Sequence, residues 1–296
     1  MDPTNDQRPA ATTAGRTVRF LDVPAADVAR AADAIEDFYE DRLDVLVVRG
    51  AFDRTPLSEA GERLDRDDSG RAWARPNQKM PVEDIQLIGT DTPATPTYQT
   101  PKGPSLDAYL ESAARHRGAV DGLFDTTFHP DREIPRVLAQ FSSGRPLDVP
   151  RASDGRAYAP LTVRRLTDGK QIGLHHDYHY PLPLYSELAP RLDTRTLVSF
   201  VATLQSSDRG GELVVYAVTP DTPNAPKMAN GWTWDLEAIE RGFDHRRFTI
   251  GAGDLFLLAS GRCLHRVTPI VGPRARVTMG GFLALDRARQ TILYWS

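Results

Sequence analysis

The sequence predicts a mostly β protein, a sandwich or barrel-like pair of sheets with helices gathered on its N-terminal side. Two observations carry that reading. From Tyr158 onward, short β-branched runs alternate with Gly, Pro and Asp, the pattern of successive short strands in facing sheets. Upstream, apolar residues recur at helical spacing instead. No internal repeat and no second domain stands out, and 296 residues suit one large domain with an annex. Residues 1–16 read as a polar, frayed tail. Residues 17–296 read as a single domain, with a mixed helix and strand annex over 17–150 and the core over 151–296.

Taken in order, the region from Pro24 to Leu43 places Val28, Ala31, Ile35, Phe38 and Tyr39 on one helical face with acids opposite. Asp44 to Gly50 is an apolar run closed by glycine, which suits a buried strand. Ser58–Leu64, Ser105–Arg115 and Pro130–Phe141 read as further helices, the last ending near Gly144. Ala72–Lys102, with several prolines and no period, reads as a long loop or lid. The strands expected next are Leu161–Leu166, Gln171–Tyr178, Thr196–Leu204, Glu212–Val218, Arg246–Ile250, Asp254–Ala259, Cys263–Val271, Arg276–Leu285 and Thr291–Trp295. Thr219–Phe243, carrying Trp232 and Trp234, interrupts them as an insertion.

Composition excludes several classes. A net charge of −4 with scattered Lys and Arg gives no nucleic-acid footprint. No apolar stretch approaches the roughly 18 residues a membrane-spanning helix needs, and the N-terminus lacks the apolar core of a signal peptide. Cys263 is the only cysteine, so no intrachain disulfide forms and a cysteine-based zinc site is implausible. A reducing cytoplasm and a small-molecule partner are the expectation.

The chemistry concentrates in Gly173-Leu-His-His-Asp-Tyr-His-Tyr180. Residues two apart on a strand share a face, so His175 and Asp177 would point together, away from His176 and Tyr178. One more imidazole would complete a facial triad of two histidines and a carboxylate, the arrangement of non-haem Fe(II) oxygenases. His265, on a later predicted strand, is the candidate. Eleven residues further on, Arg276 and Thr278 share a face and offer a forked guanidinium plus a hydroxyl to a carboxylate. Each piece has a plainer reading: chance for His-x-Asp, packing for His265, a surface ion pair for Arg276. Their conjunction in this order favours the metal site. Cys263, Tyr178 and Tyr180 read as core residues before pocket-lining ones, His176 as structural or exposed, and His179 either as a solvated loop residue or as one that orients Asp177 or meets substrate. Trp232 and Trp234 read as lid or loop anchors.

The pattern resembles the Fe(II)- and 2-oxoglutarate-dependent dioxygenase superfamily, with Gly210-Gly-Glu-Leu213 and Gly251-Ala-Gly-Asp-Leu-Phe-Leu257 matching the turns that flank its metal-binding strands. A closer likeness is to the freestanding halogenases of hapalindole and welwitindolinone alkaloid biosynthesis and to related N-acyl amino acid hydroxylases. It rests on Phe20-Leu-Asp22, Val48-Arg-Gly50, Gly210–Tyr216, His265-Arg-Val267, Gly280-Gly-Phe-Leu-Ala284 and Tyr294-Trp-Ser296. That resemblance implies a double-stranded β-helix (jelly-roll, cupin-like) core. It also implies Fe(II) on His175, Asp177 and His265, 2-oxoglutarate as co-substrate against Arg276 and Thr278, and O2 as oxidant. The stretch near Lys79–Thr92 would help to cover substrate. Those halogenases carry Gly or Ala where this chain has Asp177, which leaves room for a halide. The resemblance therefore implies hydroxylation of an unactivated C–H in a freestanding metabolite of secondary metabolism, whether alkaloid, amino-acid-derived or nucleotide-like. Desaturation, cyclisation and halogenation stay open with the same cofactors, as do a cupin-like non-redox metalloenzyme and a binding protein.

Overall fold

The structure is a computed structural model, and it describes residues 15–66, 86–88, 105–121, 123–124, 128–177, 180–228 and 234–296. Its strands are β1 (Phe20–Pro24), β2 (Val45–Arg49), β3 (Gln86–Ile88), β4 (Leu147–Asp148), β5 (Thr162–Leu166), β6 (Ile172–His175), β7 (Val198–Gln205) and β8 (Arg209–Gly210). There follow β9 (Leu213–Tyr216), β10 (His245–Phe248), β11 (Leu255–Leu258), β12 (His265–Val267), β13 (Ile270–Val271), β14 (Arg276–Leu285) and β15 (Ile292–Trp295). The helices are α1 (Ala34–Tyr39), α2 (Arg54–Arg66), α3 (Leu106–Asp121), α4 (Pro130–Leu138) and α5 (Leu236–Gly242).

Two sheets make the core. The larger runs β1-β2-β11-β7-β14-β15-β4, with β5 pairing β14 and β3 pairing β5; the smaller runs β10-β9-β12-β6. This is the facing pair of sheets that the strand pattern predicts, in the jelly-roll class that the resemblance implies. β7 and β14 are buried along their whole lengths, with α2 packed against both and Phe282 of β14 clustered with Tyr109 and Leu110 of α3. On β14 the side chains alternate accordingly: Val277, Met279, Leu283 and Leu285 join the core beneath the annex, while Arg276, Thr278, Gly280 and Phe282 face the interior. Gly280 has its own reason to be glycine, since a Cβ there would sit 2.2 Å from the Phe200 carbonyl oxygen.

Two distant motifs turn out to be one structural unit. The Asp254 carboxylate accepts from Arg49 Nη1, Gly50 N and Gly251 N, each at 2.9 Å, so the end of β2 and the turn before β11 are fastened together.

Several sequence expectations are corrected. The expected helix between Pro24 and Leu43 divides into a 3₁₀ segment, Ala25–Ala31, and α1. The strand expected to reach Tyr178 ends at His175. The strand expected over Cys263–Val271 divides into β12 and β13, separated at Thr268-Pro269, where proline has no N–H to donate. Arg16 is not part of a frayed tail: it pairs with Asp44, a carboxylate only 1% exposed. Tyr178, His179, Trp232 and all of Lys79–Thr92 except β3 lie outside the described residues. Among the described residues no helix is long and apolar enough to cross a membrane.

Candidate metal centre

His175 and His265 face each other across the antiparallel pair β6–β12, directly in register, with ring centroids 4.2 Å apart. Each ring is held by its Nδ1, His175 on the Gly173 carbonyl at 2.7 Å and His265 on the Cys263 carbonyl at 3.0 Å. A carbonyl can only accept, so each Nδ1 carries the proton and each Nε2 presents a lone pair. Those two Nε2 atoms meet the Asp177 carboxylate, His175 at 3.4 Å from Oδ1 and His265 at 3.6 Å from Oδ2. The three residues offer ligand atoms within 4.8 Å of one another, and His265 and Asp177 are 6% and 7% exposed. Burial, then the neighbouring His175, lowers the His265 pKa to about 4, so its imidazole is neutral and able to donate at ordinary pH.

Asp177 reaches this position by a route different from the one expected. It lies beyond the end of β6, so the strand pleat does not aim it. Its N–H instead donates to the Ser260 carbonyl at 2.8 Å, and its Oδ2 accepts from Ser199 Oγ at 3.0 Å. Ser199 belongs to β7 of the large sheet, so this bond ties the carboxylate across from the small sheet.

Arg276 is 6% exposed, and its guanidinium makes no hydrogen bond or ion pair among the described residues. Gly211 lets it in, for a Cβ at that position would lie 3.0 Å from Arg276 Cδ. Thr278 is its neighbour on the same face, as expected. Register adds two residues that the sequence reading missed. Arg164 of β5 and Thr203 of β7 both pair with Thr278, giving the row Arg164, Thr278, Thr203 on the interior face. The Thr203 hydroxyl is buried without a hydrogen-bond partner among the described residues. Burial and the proximity of Arg164 lower Arg276 to about 10, and burial lowers Arg164 too, against the pull of Asp177. Two desolvated guanidiniums and two hydroxyls thus share one strand face, with Arg164 near enough to Asp177 to feel its charge. Such a surface suits a dianion.

Other residues take their plainer roles. Cys263 is buried with Sγ 3.5 Å from Asp44, and burial raises its thiol pKa to about 12. Tyr180 is buried and donates to the Thr196 carbonyl. Trp234 stacks beneath Lys227 and lies 6.5 Å from the His176 ring.

The sequence profile described as carrier-protein-independent halogenase WelO5 matches residues 17–296. The chain belongs to that family. The WelO5 family lies within the Fe(II)/2-oxoglutarate oxygenases, so iron is its metal and 2-oxoglutarate its co-substrate. No curated protein matches the chain. Among solved structures, an N-substituted L-amino acid dioxygenase from Burkholderia ambifaria AMMD is similar at 15% identity and a TM-score of 0.48, covering 88% of this chain and 91% of that one. The carbocyclase SnoK from nogalamycin biosynthesis is similar at 11% identity and a TM-score of 0.47, covering 88% of each chain. A Pseudomonas putida prolyl-4-hydroxylase follows at 17% identity and a TM-score of 0.41, covering 86% of this chain and 97% of that one.

Proposed function

We propose that this WelO5-family oxygenase hydroxylates an unactivated C–H bond of a freestanding small molecule. In this reading His175, Asp177 and His265 hold Fe(II), and Arg276 with Thr278 holds the far carboxylate of 2-oxoglutarate. The single observation that carries the choice of hydroxylation is the Asp177 carboxylate, which meets both histidine Nε2 atoms where the related halogenases have no carboxylate. The donor set fits the metal: two imidazoles, each held by Nδ1 on a backbone carbonyl, turn their Nε2 atoms toward one buried carboxylate. The co-substrate surface fits as well, since the buried Arg276 and the unpartnered Thr203 hydroxyl match what a dicarboxylate requires. When bound, the iron would activate O2, the oxidant, with 2-oxoglutarate as the co-substrate that supplies two electrons on its conversion to succinate and CO2.

The chain's own residues do the rest. The carbonyls of Gly173 and Cys263 fix the imidazole tautomers. Arg276 and Arg164 counter the co-substrate's negative charge inside a water-poor interior, where that attraction is strong. The apolar cores on both sides of the two sheets keep the site rigid around the target carbon.

Chloride separates this reading from halogenation. The visible charge-transfer band of the anaerobic Fe(II)–2-oxoglutarate complex should stay unmoved as chloride is added to the native protein. In Asp177→Gly it should become chloride-sensitive. A chloride-dependent band in the native protein would favour halogenation instead.

A further inference from the structure

On the face of the large sheet turned away from the metal centre lies a cavity of about 300 Å³, at the lower end of the range for small-molecule sites. Strand register separates the two. Ser199, whose hydroxyl bonds Asp177, pairs with Phe282, and neighbouring residues on a strand point to opposite faces. Leu283 therefore points away from the metal centre, and so does its partner on β15, Tyr294, which lines the cavity.

The cavity has an apolar base and a charged edge. Val120 of α3, Leu161 and Tyr294 are 6%, 2% and 6% exposed, whereas Arg117, Asp131, Asp148 and Arg151 are open to solvent. The Tyr294 hydroxyl makes no hydrogen bond among the described residues. A buried phenol ordinarily has a partner, and here the cavity is the place for one. Burial, then the charges of Asp148 and Asp131, push its pKa up to about 12, while Arg117 pulls the other way. The hydroxyl therefore keeps its proton at ordinary pH and lies within electrostatic reach of charges of both signs.

Those charges do not pair with one another. Arg117 donates to the Tyr158 carbonyl and Arg151 to the Gly155 carbonyl, which leaves each guanidinium further N–H groups to give. The Asp148 side chain accepts the Val149 N–H. Among the described residues none of the four makes an ion pair. Two carboxylates and two guanidiniums around one opening match a ligand that carries both signs, since a simple anion or cation would meet a like charge beside each partner.

The geometry points to this cavity as a binding site for a small zwitterion, an α-amino acid with a hydrogen-bonding side chain. Its ammonium meets Asp131 and Asp148, its carboxylate meets Arg117 and Arg151, and its side chain crosses Val120 and Leu161 to the Tyr294 hydroxyl.

Anaerobic equilibrium dialysis of the protein loaded with Fe(II) and 2-oxoglutarate, against L-serine, L-threonine, L-asparagine and L-glutamine in turn, tests this. At least one should bind with a Kd at or below about 1 mM. Its analogues lacking the amino or the carboxyl group should bind roughly fivefold more weakly. Tyr294→Phe keeps the ring and should weaken binding roughly fivefold. Asp131→Asn and Arg151→Gln should each weaken it roughly threefold, with O2-dependent succinate release native in all three variants. Failure of all four amino acids to bind would overturn the assignment, as would equal binding of an analogue with one charge. Binding untouched by Tyr294→Phe and by Asp131→Asn would also overturn it, by placing the ligand elsewhere on the protein.

Discussion

At the scale of single residues, the centre is assembled from groups whose alternatives have been removed. Each histidine has one nitrogen spent on a backbone carbonyl, so only the other remains for a metal. Arg276 is buried against Gly211 and Arg164, a costly place for a guanidinium unless an anion joins it. Replacing it removes a charge-assisted, two-pronged contact. Arg276→Gln should therefore raise the Kd for 2-oxoglutarate roughly 100-fold, the scale expected when one partner of a buried charge pair is lost. Affinity for Fe(II) should be nearly unchanged. Titration of the charge-transfer band with 2-oxoglutarate measures the first and titration with Fe(II) the second, and a loss of 2-oxoglutarate affinity below fivefold would place the co-substrate elsewhere.

At the scale of elements, β14 ties the site to the fold. It carries Arg276 and Thr278 at one end and the Gly280-Gly281 pair in its middle, where β7 passes close enough for the Phe200 carbonyl oxygen to meet any added Cβ at 2.2 Å. Gly280→Ala should cost roughly 2 kcal/mol, seen as a fall in Tm of about 4–8 °C by calorimetry; an unchanged Tm would mean that the two strands separate easily. Much of this layer was legible in the sequence. β14 begins and ends where its apolar run does, and Arg276 and Thr278 share a face because the strand period guarantees it. What the sequence concealed is lateral. Arg164 and Thr203 join Thr278 only through strand register, which no local pattern records. Asp177 was found for a partly mistaken reason, since a pleat was expected and the hydrogen bonds to Ser199 and Ser260 do the aiming.

At the scale of the whole molecule, the annex and the core are joined by a buried carboxylate. Asp44, before β2, accepts from Arg16 and Arg19 near the N-terminus and from Arg262 ahead of β12. Burial works against its ionised form, yet Arg19, through its side chain and its backbone N–H, and the charge of Arg16 hold its pKa at about 2, below the ordinary 3.8. The depressed pKa fixes the sign: the stabilisation is complete above about pH 4 and is lost as pH falls through the region near 2. Asp44→Asn strands the arginines, so it should cost on the order of 3 kcal/mol at neutral pH and lower Tm by roughly 6–12 °C. The gap from native should close on acidification, and thermal melts at pH 7, 4 and 2.5 would reveal a gap that stays constant if the assignment is mistaken.

The most direct test of the whole account is O2-dependent conversion of 2-oxoglutarate to succinate by the Fe(II)-loaded protein, compared with His265→Ala. Even without the true substrate, such a centre should release succinate slowly, and removing the buried imidazole should abolish it. Succinate release from the native protein that disappears in His265→Ala is the result predicted. No succinate from a native protein shown to carry iron, or equal release from both, would contradict the assignment of this triad as the catalytic metal centre.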